Sequence, residues 1–200
     1  MFRHISAVAL LITSSSAFST VINFDDVTHG TIISSQYTTS GLTISAYENG
    51  ALLSDGPKAL DQWSATADVL GRADNALYNI NGSGSRPDVM RFDFTGTSSN
   101  ISWLQHNEGG LIPSWEAYDA SGSLLSTVSF GYQSAWHSAG LGSLTGVSYL
   151  LAYQPNDSWT WAVDNFTYTL DTTSVPEPAS IALLGLGLAG LGFSRKKKTA

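Results

Sequence analysis

Apolar and polar positions alternate with a period of two through most of the middle of this 200-residue chain. The period near 3.6 that marks an amphipathic helix is hard to find there. The alternating runs are Val21–Asp26, Leu42–Tyr47, Val89–Phe94, Ile101–Gln105, Trp115–Asp119, Leu124–Tyr132, Val147–Tyr153 and Trp161–Leu170. They are rich in Val, Ile, Thr and aromatic residues, the side chains that fit a pleated, half-buried surface. Turn signals separate them: THG at 28–30, SDGP at 54–57, NGSGSRPD at 81–88, DASGS at 119–123 and QPND at 154–157. The stretch AYDASGSLLSTVSF reads as a hairpin, with Gly122 supplying the positive φ of its turn. Residues 58–76 are the least strand-like and are expected to hold a short helix or a long loop. No internal repeat of 20–50 residues is visible. Many short strands at this spacing predict an all-β, antiparallel sandwich.

The same alternation assigns faces. In the last run Ala162, Asp164, Phe166, Tyr168 and Leu170 share one side, expected to be the core side, and Trp161 falls on the other. In the first run Ile22, Phe24 and Asp26 share a side. Asp26 and Asp164 are therefore both expected to point inward. A lone buried carboxylate costs several kcal/mol or is neutralised. Two at the sandwich rim are tolerable around a hard cation such as calcium, which takes 6–8 oxygen ligands; the alternative is a pair of ordinary rim carboxylates with no metal.

Both ends break the pattern. Arg3 and His4 precede an apolar stretch from Ile5 to Ile12, and Ala17-Phe18-Ser19 supplies a small-x-small exit. This is the build of a secretory signal peptide, with cleavage expected after Ser19. At the other end Ala179–Phe193 is uncharged. Its 15 residues reach about 22 Å as a helix, short against a bilayer core of about 30 Å, although flanking side chains can snorkel. Arg195, Lys196, Lys197 and Lys198 follow at once, which places that end on the cytoplasmic side. Pro176 and Pro178 fix φ and remove two donors, so the segment before the apolar run is extended. The expected divisions are 1–19, a signal peptide; 20–172, the sandwich; and 173–200, a C-terminal membrane helix with its flanks.

The tail VPEPASIALLGLGLAGLGFSRKKK resembles a PEP-CTERM sorting signal: Pro176-Glu177-Pro178, an apolar helix with glycines, then the basic cluster. The resemblance implies a Gram-negative host, export, and an inner-membrane-anchored intermediate. It also implies processing by the membrane enzyme exosortase and delivery to the surface or the exopolysaccharide matrix.

Trimming the ends sharpens the charge. The chain carries 9 basic and 16 acidic residues; the ends remove Arg3, Arg195, Lys196, Lys197, Lys198 and Glu177, leaving 4 basic and 15 acidic, a net of −11. Such a surface repels nucleic acid, whose affinity comes from Lys and Arg on phosphates. With no cysteine in the chain, thiolate zinc sites, cysteine catalysis and disulfide stapling are excluded.

Catalytic signatures are sparse. His29, His106 and His137 lack metal-ligand spacing, and G-x-S-x-G is missing. His106 and Glu108 are a pair suited to acid–base work, and Asp and Glu pairs are suited to glycosides. An enzyme is not expected; an extracellular glycan-acting enzyme is the alternative, requiring two facing carboxylates about 5–9.5 Å apart. Of six tryptophans, Trp103 and Trp115 alternate with core residues, whereas Trp136 and Trp159 lie near turns and are the better candidates for flat platforms under sugar rings. Trp161 is expected either exposed or under a loop.

More loosely, INFDD, AYDASGSLL and VDNFTYTL resemble pieces of carbohydrate-binding jelly-roll domains. That resemblance implies a jelly-roll type of sandwich and a structural calcium shared by Asp164 with Asp26 or Asp25, of which the face assignment favours Asp26. The function expected is binding or scaffolding in the extracellular matrix, with exopolysaccharide as a partner.

Overall fold

A computed structural model describes residues 19–54, 56–60, 75–78, 87–107, 113–130, 135–153 and 161–171. The signal peptide, the C-terminal helix with its Pro-Glu-Pro and basic flanks, Trp159 and Glu108 all lie outside these residues. No helix among the described residues is long and apolar enough to cross a membrane.

Among the described residues eleven strands run in chain order: β1 (Ser19–Ile22), β2 (Leu42–Glu48), β3 (Ala51–Leu52), β4 (Lys58–Leu60), β5 (Ala76–Tyr78), β6 (Val89–Asn107), β7 (Ser114–Tyr118), β8 (Leu124–Ser129), β9 (His137–Gly140), β10 (Val147–Tyr153) and β11 (Trp161–Asp171). Every pairing between them is antiparallel. The all-β, antiparallel architecture expected from the alternation is what the chain forms.

β6 organises the whole. Two separate runs in the sequence, Val89–Phe94 and Ile101–Gln105, are one 19-residue strand. Its first half pairs with β2 on one side and β10 on the other. Its second half pairs with β11 and β9. One strand thereby belongs to two layers. The first layer runs β3-β2-β6-β10-β7-β8; the second runs β9-β6-β11, with β1 and β5 along the far side of β11 and β4 beyond β5.

The layers face one another through aromatic rings. Trp115 of β7 lies 5.6 Å from Trp161 of β11 and 4.2 Å from Trp103 in the second half of β6. Phe92, in the first half of β6, stacks on Phe166 of β11 at 5.1 Å. None of these strand pairs shares a ladder along those residues, so the contacts join two sheets rather than neighbours within one. Ile44, Leu42, Met90, Leu150 and Ala152 belong to the same buried cluster. Gln105 is the polar member at its centre. It is fully buried, and its Oε1 accepts the indole N–H groups of both Trp103 (3.0 Å) and Trp115 (2.9 Å). A buried indole N–H needs an acceptor, and one amide oxygen with two lone pairs serves both.

In the β6–β11 ladder two bulges reset the alternation. Asp164 pairs with Leu104 but Thr167 with Ser102, so β11 carries one extra residue, Asn165, at φ 46°. Thr169 pairs with Ser99, so β6 then carries its own extra residue, Asn100, at φ 52°. Asparagine tolerates this left-handed region better than other side chains. The consequence on β11 is a switch of parity. Before the bulge Trp161 and Val163 join the main core; after it Phe166 and Tyr168 do. On β6 the inward set changes from Met90, Phe92 and Phe94 to Ile101, Trp103 and Gln105.

The β2–β3 hairpin is a two-residue turn, Asn49-Gly50, between paired Glu48 and Ala51. Both turn residues have positive φ (51° and 77°), the signature of a type I′ turn. The expected β7–β8 hairpin is present, with Gly122 at φ 81°. The segment 58–76, expected as helix or loop, supplies β4 at its start and the first residue of β5 at its end; residues 61–74 between them lie outside the described set.

Candidate functional site

Cross-strand register lines up rows of side chains on the outer face of the first layer. One row is Tyr47, Val89, Tyr153 and Ser114; the next is Ser45, Arg91, Leu151 and Glu116; a third is Thr43, Asp93, Tyr149 and Tyr118. These alternate with the core residues Ala46, Met90, Ala152 and Trp115, so they stand away from the sandwich interior. Four of the eight tyrosines of the chain stand on this face, each half-buried. Tyr47, Gly50, Val89, Arg91, Leu151 and Tyr153 line a groove of about 250 Å³. From β2 to β7 the face crosses three strand spacings, about 14 Å.

Its side chains hold each other in place. The Arg91 guanidinium lies 4.0 Å above the Tyr149 ring centroid, and Tyr149 stacks on Tyr118 with centroids 4.9 Å apart and ring planes at 7°. Arg91 donates through Nε to both carboxylate oxygens of Asp93 (2.8 and 2.9 Å) and through a terminal nitrogen to Oδ1 (2.7 Å). Asp93 holds the guanidinium above its ordinary pKa. Tyr118 donates its hydroxyl to Glu116 Oε2 at 2.5 Å, and this bond, before burial, raises the Tyr118 pKa far above the ordinary tyrosine value. The Tyr153 hydroxyl is also raised, first by burial and then by the Glu116 charge. Both hydroxyls therefore stay protonated, and so stay donors, at any neutral pH. Asp88 accepts the Asn49 amide at 2.7 Å and anchors the Asn49-Gly50 turn at one end of the groove. At the other end a Cβ on Gly122 would stand 3.7 Å from the Tyr149 hydroxyl, so the β7–β8 turn closes on the platform. The arrangement offers apolar ring faces flanked by fixed donors and acceptors.

The residues singled out from the sequence fall elsewhere. Asp164 is fully buried and its Oδ1 accepts the Asn165 amide at 2.6 Å. It shares the face of Ala162, not that of Phe166 and Tyr168, because the bulge at Asn165 separates them. Asp26 is exposed and accepts the Tyr37 hydroxyl at 2.7 Å. The inward position expected of it fails because β1 ends at Ile22 and Phe24 turns to φ 60°; Ile22 and Phe24 are buried as expected. Asp25 accepts from Asn23 and from the Asn75 amide. Among the described residues no group of three or more His, Asp or Glu is gathered so as to hold a metal ion. Trp136 is half-buried and packs against Ala76, Tyr78 and Ala162 on the outer side of the second layer, 5.7 Å from the buried His106 ring. Trp103 and Trp115 are core residues as expected. Trp161 is buried in the main core too, contrary to its expected outward position, again through the parity switch.

Sequence reasoning passed over the tyrosine face. The signal was present: Tyr47, Tyr118, Tyr149 and Tyr153 each sit at the polar phase of an alternating run. What the sequence did not give was the strand order that sets them side by side.

Residues 174–196 match the PEP-CTERM protein-sorting motif. The match takes in Pro176-Glu177-Pro178, the apolar run, Arg195 and Lys196. The motif implies an exported protein that passes through a membrane-anchored intermediate processed by exosortase. No curated protein matches the chain. Among solved structures the chain is similar to the K2 cleaved adhesin domain of Lys-gingipain, at 16% identity over 76% of this chain and 100% of that one, TM-score 0.49. It is similar to TmCBM61, solved with beta-1,4-galactotriose, at 10% identity over 68% and 94%, TM-score 0.41. It is also similar to the CBM22-1 xylan-binding domain from Paenibacillus barcinonensis Xyn10C, at 11% identity over 80% and 100%, TM-score 0.40. Similarities at this level carry no ligand or activity to this chain.

Proposed function

We propose that the sandwich is the glycan-binding part of an exported, surface-sorted protein, and that the tyrosine-lined outer face of the first layer is where the sugar lies. The observation that carries this reading is the Arg91–Tyr149–Tyr118 stack beside the groove walled by Tyr47, Leu151 and Tyr153. A sugar ring has apolar C–H faces and a rim of hydroxyls. Half-exposed tyrosines offer large rigid ring area at low entropy cost and a polar tip, matching both features. Glu116 and Asp93 add acceptors whose positions are fixed by Tyr118 and Arg91. The groove volume lies just below the roughly 300–1,000 Å³ of small-molecule pockets, which suits an open cleft holding part of a longer chain.

On this reading the protein binds without turnover, in the exopolysaccharide matrix outside a Gram-negative cell, and its tail delivers it there. Retention of the full chain on polysaccharides, including the host's own exopolysaccharide, tests it. Tyr149→Ala and Tyr47→Ala are expected to weaken retention at least about tenfold while circular dichroism and melting show a folded sandwich. Tenfold corresponds to about 1.4 kcal/mol, the order of one stacking contact. Full retention by both variants, or retention of the wild-type chain by no glycan, overturns the assignment. Release of new reducing ends during the same incubation would favour the glycan-acting enzyme instead.

A further inference from the structure

We infer that this groove selects neutral glycans and excludes uronate-bearing ones; the inference rests on the glycan reading above and adds the charge class of the sugar. The grounds are electrostatic. Arg91 is the one cation among the described residues of the face, and its charge is already met by Asp93 through three contacts of 2.7–2.9 Å. Lys58, the other described cation, belongs to β4 in the second layer. Against them stand Glu116 in the middle of the platform and Asp88 beside the Asn49-Gly50 turn. A sugar carboxylate laid in the groove meets a guanidinium that is already paired and two carboxylates that are not offset by any described cation of the face. The whole trimmed domain, with 4 basic and 15 acidic residues, adds a repulsive long-range field.

Neutral hydroxyls face no such penalty. They donate to Glu116 and Asp93 and to the free lone pairs of the Tyr118 and Tyr153 hydroxyl oxygens. Charge in the groove thus serves discrimination more than attraction, since like charges brought together disfavour the wrong partner.

The test uses the full chain and matched pairs of soluble polysaccharides: glucan with polyglucuronate, mannan with polymannuronate, galactan with polygalacturonate. Within the pair that binds, the uronate is expected to bind at least about tenfold more weakly at about 0.01 M salt, where the Debye length is about 30 Å. The gap is expected to narrow at about 0.15 M, where that length is about 8 Å, because the neutral member is indifferent to screening. Glu116→Gln keeps an acceptor for Tyr118 and removes one charge, so it is expected to shrink the ratio of the two affinities at low salt. A uronate bound as tightly as its neutral partner, a ratio that ignores salt, or a ratio that ignores Glu116→Gln overturns charge selection and leaves the glycan reading standing. Retention of no member of any pair, and of no host exopolysaccharide, overturns the glycan reading and this inference with it.

Discussion

On β6 Phe92 points into the sandwich and Arg91 away from it; on β7 Trp115 points in and Glu116 out; on β10 Leu150 points in and Tyr149 out. The same three strands contribute to two unlike aromatic surfaces, the inner one shared with β11. The inner one is dry. Its rings, Phe92, Trp103, Trp115, Trp161 and Phe166, touch one another across the layers, and Gln105 satisfies two of the indoles. The outer one is half wet. Its rings are tyrosines, each with a polar tip, tied to Arg91, Asp93 and Glu116. Trp and Phe dominate the inner side and Tyr the outer, because a hydroxyl is costly to bury without a partner; the buried Tyr168 meets that cost by donating to the Ser40 carbonyl. It also teaches where to look for function: the inner cluster holds the layers together, and the outer one is free to meet a ligand.

Truncating a ring on each side separates these roles most strongly. Trp115→Ala removes a fully buried ring from the junction of both layers, and a loss of about 3–5 kcal/mol is expected, a fall of roughly 6–20 °C in melting temperature for a domain of this size. The outer counterpart, Tyr149→Ala, loses one stacked pair and one cation–π contact and is expected to cost about 1–2 kcal/mol. Equal losses in thermal melts would erase the distinction between the faces.

An effect of comparable size probes the polar centre of the inner face. Gln105→Leu keeps the volume near constant but strips the acceptor from two buried indole N–H groups, each costing about 1–3 kcal/mol when left without one. Urea denaturation showing no loss would mean that the indoles find other acceptors.

The smallest effect concerns the bulge that decides which residues reach the inner face. Asn165 holds φ 46°, so Asn165→Ala is expected to cost about 1–2 kcal/mol and Asn165→Gly distinctly less. The reverse order would show that the asparagine side chain, not the left-handed backbone, matters there.

How much of this was legible in the sequence varies by element. β7 and β10 follow from alternation almost to the residue, since one face of each is buried and the other is not; β8 follows too, although from Leu125 on it alternates only between exposed and half-buried. The Asn49-Gly50 turn was passed over, although such a dipeptide is among the strongest short-range hairpin signals. β4, β5 and β9 were missed because three or four residues are too few for a period to register. Asp26, Asp164 and Trp161 were assigned the wrong sides for one shared reason. Counting by twos assumes an unbroken strand, and either the strand ended early or a bulge shifted the count.

Local chemistry along the chain was enough to settle the all-β class, the antiparallel sandwich and the sorting motif, because each is written in neighbouring residues: a two-residue period, turn dipeptides, a Pro-Glu-Pro triplet before an apolar run and basic charges. Strand order, the passage of β6 from one layer to the other and the gathering of Tyr47, Arg91, Tyr118, Tyr149 and Tyr153 on one face belong to the tertiary structure alone. Those residues are up to 106 positions apart in the chain, and only packing of the two hydrophobic faces against each other selects the pairing that brings them together.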